Sequence, residues 1–307
     1  MIDAYDHLLP QYREFALLPD GERIEWLRRD RWISLPQAEM ALSRLEDLLT
    51  YPRRGRMPCL LLFGPTGMGK SEILNRFAQL NSSSYDKRAG ITNMPVVLVQ
   101  MPPTPGEADF YAELLMAMHY AQYENLRVQT LRSLARRTLS EYGARILILD
   151  EIDKMLAGTG REQRLFLNAV RFLTNDLMIP IVCAGTEDAR IAVLTDPNLA
   201  DRFGAIELTP WRNDMALRQL MVSFAGLLPL RKPSALDNAA VRQRVLALTQ
   251  GVTGRIFRLM EVVAIAAIRK GREMIDASSF DDDDLLLPLV SMQVVANSRK
   301  VVRRRAA

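Results

Sequence analysis

Residues 57–80 read MPCLLLFGPTGMGKSEILNRFAQL, and the fold is decided there. Five apolar residues, Cys59 to Phe63, run straight into Gly64-Pro65-Thr66-Gly67-Met68-Gly69-Lys70-Ser71, and a stretch with helical spacing follows. Strand, glycine loop and helix in that order are the context a P-loop requires. Glycine lets backbone N–H groups turn inward around phosphate oxygens, and the helix behind aims its positive end at them. Lys70 is then placed to reach β- and γ-phosphates and the Ser71 hydroxyl to bind Mg²⁺, so the loop predicts ATP with Mg²⁺ as its ligands.

Three further apolar runs, VVLVQ at 96–100, ILILD at 146–150 and IPIVCAG at 179–185, alternate with amphipathic stretches. Continuous rather than alternating hydrophobicity marks strands covered on both faces, which predicts an α/β fold with a parallel sheet flanked by helices. Ligands of such sheets bind at the carboxyl ends of the strands. Asp150 and Glu151 stand at one of those ends, where carboxylates are costly without a purpose. Asp150 is suited to hold Mg²⁺ through its water shell, and Glu151 to orient and polarise the water that attacks a γ-phosphate.

Around this domain, expected over 58–210, the chain reads as helical. Residues 1–57 are taken as an N-terminal extension with two helices. Asp20 would cap the first, with Ile24, Leu27 and Ile33 on its apolar face. The second runs from Pro36 to Leu49, with Ala38, Met40, Ala41, Leu42, Leu45 and Leu48 at helical spacing. Residues 102–144 exceed one crossover helix and accommodate two, over about 107–119 and 126–140. Residues 211–284 carry helical periodicity only and are expected to form a lid domain. A tail over 285–307 follows, with an acidic cluster, Asp281 to Asp284, just ahead of it.

Composition narrows the function classes. The 307 residues are 49% hydrophobic and 25% charged, ordinary globular usage that excludes a disordered or collagen-like chain. Forty Lys and Arg against 36 Asp and Glu leave a net charge of +4, so the location of basic residues rather than their number must decide nucleic-acid binding. Cys59 and Cys183 lie beside apolar runs and are expected to be buried free thiols. His7 and His119 have no partner at ligand spacing, so neither a zinc cluster nor a nucleophile triad can be assembled. The start of the chain has no apolar signal region and no run approaches the roughly 18 apolar residues of a membrane span, which predicts a cytoplasmic protein.

Four arrangements occur in order: Gly64 to Ser71, the Asp150-Glu151 pair, a polar strand end at Gly185-Thr186, and Leu199-Ala-Asp-Arg202-Phe203 before the helical region. Together they resemble the AAA+ ATPases. The resemblance implies that Thr186 senses the γ-phosphate, that Arg202 is a finger reaching a neighbouring subunit's nucleotide, and that Arg255 of Gly251-Val-Thr-Gly254-Arg255-Ile-Phe-Arg258 is a second sensor, with Arg258 close to the same helical face. The second helix of the 102–144 insertion is similar to that of the initiator-type clade, which bears on DNA. It carries Arg127, Arg132, Arg136 and Arg137 with only Glu141 nearby to oppose them, so sequence-independent phosphate contacts are expected there. Lys87 and Arg88 form a second candidate basic patch.

A narrower resemblance covers most of the chain. LLPDGERIEWLRRDRWISLPQAEMALSRLEDLL at 17–49, the P-loop segment and GVTGRIFRLMEVVAIAAI at 251–268 are similar to TniB, of the TnsC-like group of transposition ATPases. This implies an ATP-dependent regulator of cut-and-paste transposition. Its subunits would assemble on target double-stranded DNA as a ring or helical filament, recruit a DDE transposase and, where present, a TniQ-type targeting protein, and come apart on hydrolysis. Two alternatives share the site. One is a helicase loader or replication initiator, although the roughly 20 residues after Asp284 are too few for a helix-turn-helix domain. The other is a nucleotide-switched scaffold without turnover, against which Glu151 argues.

Overall fold

A computed structural model of the chain describes residues 5–281, apart from 89, 103–105, 122, 124 and 157. The expected tail and Asp282 to Asp284 lie outside the described residues. The chain divides into two compact units, Ser34–Thr209, and Met1–Ile33 together with Pro210–Ala307.

The first unit is built on a five-stranded sheet. Its elements in chain order are α2 (Pro36–Leu49), β1 (Cys59–Phe63), α3 (Lys70–Leu80), β2 (Ser84–Asp86), β3 (Ile91–Asn93), β4 (Val96–Gln100), α4 (Glu107–Ala117), α5 (Val128–Glu141), β5 (Ile146–Asp150), α6 (Asp153–Leu156), α7 (Gly160–Leu177), β6 (Ile181–Gly185), α8 (Glu187–Leu194), α9 (Pro197–Ala200) and β7 (Phe203–Glu207). The sheet order is β4-β5-β6-β1-β7, with every pairing parallel. Every residue of β1, β5 and β6 is buried, as unbroken apolar runs demand. Alternate residues, among them Leu61, Phe63, Val97, Val99, Leu147, Leu149, Ile181 and Cys183, form one core with α4, α5 and α7. The helix α3 lies against β4, β5 and β6 with Ile73, Leu74 and Phe77 buried.

Both cysteines are buried and free. The strand read at 179–185 begins at Ile181, because Pro180 has no N–H to give the ladder. Two features went unread. FGAIE forms β7, an edge strand paired only with β1, and it lacks a continuous apolar run because one side of it faces no neighbour. The polar segment around Lys87 and Arg88 is the turn of an antiparallel hairpin, β2 with β3, whose strand residues are mostly exposed.

The helix α2 follows its expected bounds, with Pro36 at its first turn, where a missing N–H is harmless. Ala38, Ala41, Leu45 and Leu48 are buried, whereas Met40 is 53% exposed. It packs against α3 and so belongs to the α/β unit. The expected extension over 1–57 is therefore divided, because residues up to Ile33 pack with the helices after Pro210.

That second unit holds α1 (Asp20–Leu27), α10 (Met215–Leu227), α11 (Ala239–Thr249) and α12 (Thr253–Arg269). Asp20 lies in the first turn of α1 rather than at its cap, which is Pro19. The buried face of α1 is Arg23, Trp26 and Leu27. Trp26 stacks on Phe15 at 4.7 Å between ring centres, with Arg31 over its face at 3.9 Å. Arg23 is fully buried and makes a two-pronged pair with Glu273 at 2.7 Å on each side; it also reaches the Pro229 carbonyl and, at 2.6 Å, Asp20. Among the described residues no helix is long and apolar enough to cross a membrane.

Burial pushes the Glu273 carboxyl up, but the Arg23 hydrogen bonds, an N–H from Arg231 and both guanidinium charges hold it below the usual carboxylate range. A carboxyl depressed in the folded state stabilises above its unfolded value, about 4.3, and loses that contribution as pH falls through the folded one. Replacing Arg23 by Ala strands a buried charge and is expected to cost about 3–5 kcal/mol. Arg23→Met with Glu273→Leu should recover most of the loss. Thermal unfolding at neutral pH and below pH 4 checks both, with the wild type converging on the single variant in acid.

Candidate active site

The loop after β1 owes its shape to its glycines. Gly64 has φ +149°, and a Cβ there would lie 2.4 Å from the Leu208 carbonyl oxygen, so only glycine fits. Gly67 and Gly69 also take positive φ. Gly69 caps α3, which opens at Lys70 and turns its free N–H groups toward the loop. The Lys70 ammonium donates to the carbonyls of Gly64 at 2.8 Å and Pro65 at 3.0 Å. Burial pulls the pKa of Lys70 down, and the carboxylates of Asp153, Asp150 and Glu151 oppose that pull.

Those carboxylates arrive on β5 and the turn after it. Asp150 is 8% exposed and accepts the Glu151 N–H at 2.8 Å. Burial raises its pKa, and the Ser71 hydroxyl works against the rise. A hydroxyl at a helix start and a carboxylate at the neighbouring strand end form an oxygen donor set of the kind that suits Mg²⁺. Glu151 sits in the left-handed region, φ +57°, a strained conformation for a residue with a side chain. Its carboxylate is held by Lys154 at 2.5 Å and by the Gln100 amide at 2.8 Å. The Lys154 and Gln100 hydrogen bonds keep its pKa below the ordinary value, so it is ionised at neutral pH and able to accept a proton.

Thr186 follows β6, whose Gly185 carbonyl accepts the Gly64 N–H at 3.3 Å, so it borders the loop. It caps α8, accepting the Asp188 N–H. The Thr186 hydroxyl donates to Asp153 at 2.7 Å. Held so, its proton is directed at Asp153 and one lone pair of its oxygen stays free.

Arg202 lies at the other end of the sheet. The register sets Cys59 against Phe203, with the Cys59 N–H bonded to the Arg202 carbonyl. A five-residue strand, about 16 Å, separates that end from the loop. Its guanidinium bonds Asn175 at 2.6 Å, and its buried Nε has no partner among the described residues. Arg255 belongs to the helical unit, in the first turn of α12, bonded to the Gln250 side chain at 2.6 Å; Arg258 is exposed one turn on.

More acids than Glu141 oppose the arginines of α5. Arg132 pairs with Glu107 of α4, and Arg136 grips Asp176 of α7 with two bonds, at 2.7 and 2.5 Å. These acids are 25 and 40 positions away in sequence, so Glu141 is not the one opposing charge. Of the four arginines, Arg127 is exposed ahead of α5, and Arg137 meets Glu141 at 3.6 Å on the solvent side.

Gln100, Asp153 and Lys154 were missed. The polar end of VVLVQ signalled Gln100, which the register sets beside Asp150. Asp153 and Lys154 required knowing that a short helix turns back onto the strand end. Glu151→Gln is expected to keep nucleotide affinity within about twofold and to cut turnover by at least about 100-fold, whereas Lys70→Ala loses affinity itself. Titration with a fluorescent ATP analogue beside a phosphate-release assay distinguishes the two.

The sequence profile of the bacterial TniB protein family matches residues 23–213. No curated protein matches the chain. Among solved structures it is similar to a Walker-type ATPase of Pyrococcus abyssi, at 16% identity and TM-score 0.59, covering 91% of this chain and 80% of that one. It is also similar to Cdc6p from Pyrobaculum aerophilum, at 17% and 0.56, covering 81% and 67%. The ORC2 protein of Aeropyrum pernix stands at 15% and 0.56, covering 86% and 70%. Such identities speak for the fold, that of the AAA+ P-loop ATPases, whereas the profile match takes in well over half of the residues, from inside α1 through the whole α/β unit: the chain belongs to the TniB family.

Proposed function

We propose that this chain hydrolyses ATP and uses the cycle to regulate DNA transposition, assembling head to tail on double-stranded DNA. The observation that carries the enzymatic part is the convergence on one sheet end of a glycine loop around Lys70, a buried Asp150, and an ionised Glu151 in a strained backbone. Lys70 would bind the β- and γ-phosphates, and Glu151 would take a proton from the attacking water, with the Thr186 hydroxyl oxygen as a second acceptor. Ser71 and Asp150 would hold Mg²⁺, which when bound neutralises charge on the phosphates.

The place of Arg202 supports assembly. At the opposite end of its own sheet it cannot serve its own loop, but it suits the loop of a neighbouring copy, and such head-to-tail contacts close into rings or run on as filaments. Arg255 is proposed as a second contact to the nucleotide. Family membership supports the transposition reading, with a DDE transposase and, where the element encodes one, a TniQ-type protein as partners, in the cytoplasm.

DNA contact is assigned to Arg127 and Arg137 in preference to the paired Arg132 and Arg136, since an exposed i,i+4 pair such as Arg137 with Glu141 is worth little and yields readily to phosphate. Charge reversal at Arg127 and Arg137 is expected to weaken duplex binding about equally on all sequences and to flatten its salt dependence, with ATP affinity intact. Reversal at Arg132 or Arg136 should lower the melting temperature instead. For assembly, Arg202→Ala and Glu151→Gln subunits, each inactive alone with ATP and duplex DNA, should regain turnover when mixed. A monomer under electron microscopy with ATP and duplex, together with failed complementation, would overturn the proposal.

A further inference from the structure

Asp153 has no part in the mechanism so far, although it is the carboxylate whose charge acts most on Lys70. It opens α6, directly after the turn made by Glu151 and Ile152. Its carboxylate accepts the Thr186 N–H at 3.0 and 2.9 Å and the Thr186 hydroxyl at 2.7 Å. The strand end is shaped to admit it. A Cβ on Gly185 would meet Asp153 Oδ2 at 2.9 Å and the Ala189 methyl at 2.6 Å, so a side chain at that position would push the carboxylate away.

The bonding around Thr186 fixes a polarity. A hydroxyl has one proton and two lone pairs, and a carboxylate accepts only. The proton goes to Asp153, one lone pair takes the Asp188 N–H at 3.3 Å, and one lone pair is left. A phosphate oxygen finds no donor there, whereas a water molecule finds an acceptor. Glu151 is the second acceptor at this end of the sheet, and a water that donates one hydrogen bond to each turns its own lone pair outward.

We infer that Asp153 is a positioning residue for hydrolysis: by holding the proton of Thr186 it makes that side chain an obligate acceptor, which aligns the attacking water with Glu151. This rests on the ATPase reading above. In the step, the water oxygen bonds to the γ-phosphorus as the bond from that phosphorus to the β,γ-bridging oxygen breaks. One water proton passes to Glu151, the other stays with the phosphate product, and the electron pair of the broken bond leaves on ADP. The Thr186 proton stays on its own oxygen, hydrogen-bonded to Asp153 throughout.

The test is steady-state turnover of the full chain with ATP and duplex DNA, beside separate affinities for ATP and ADP. In Asp153→Asn the amide can donate to Thr186, filling the free lone pair, so kcat is expected to fall about 100-fold with KM and the ATP-to-ADP affinity ratio unchanged. Thr186→Val should fall similarly, Thr186→Ser should retain turnover, and Asp153→Asn added to Thr186→Val should cost little more. Wild-type kcat in Asp153→Asn, an equal further loss in the Thr186→Val background, or a changed ATP-to-ADP ratio would overturn the inference. If Asp153→Asn does not fold, the contrast of Ser and Val at Thr186 decides alone, with equal turnover counting against it. A wild type without turnover overturns the ATPase reading and takes this inference with it.

Discussion

Three central strands covered on both faces leave their side chains one route to water, at the strand ends. That constraint organises the α/β unit. Every residue of β1, β5 and β6 is buried, so the polar groups the chain needs are expelled to the termini of these strands, and the parallel sense of the sheet collects them on one side. The glycine loop, Asp150, Glu151, Thr186 and Gln100 are neighbours because their strands are neighbours, and their order in sequence has no bearing on it.

Environment then separates carboxylates that are alike in chemistry. Asp150, taken out of water, has its pKa raised, whereas Glu151, bonded to Lys154 and Gln100, has its pKa lowered. One carboxyl is therefore disposed toward its neutral form and the other toward its ionised form. Asp153 spends its lone pairs on Thr186. Three acids within four residues thus take three roles, set by what each touches.

Much of this was legible in the sequence, for a physical reason in each case. Unbroken apolar runs announce buried strands, glycine at fixed spacing announces a loop that side chains would block, and Pro36 announces the start of α2. What escaped reading depended on distance along the chain or on partial burial. The edge strand β7 carries no apolar run because only one side of it is paired. Residues up to Ile33 pack with helices more than 170 positions later, held by a fully buried Arg23 that sequence alone reads as surface. The arginines of α5 looked unopposed because Glu107 and Asp176 reach them only through the fold. At the site, the strand-end residues were readable, but the carboxylate that bonds Thr186 was not, since one more acid after Asp150-Glu151 has no distinguishing pattern.

The edge strand that sequence concealed joins two places of chemical interest. It starts just after Arg202 and ends at Glu207, and the next residue, Leu208, gives its N–H to Phe63 while its carbonyl closes on Gly64. Hydrogen-bonded along its whole length to β1, it resists both stretching and slipping. A tug on the guanidinium end is consequently passed along the same rod that braces the glycine loop.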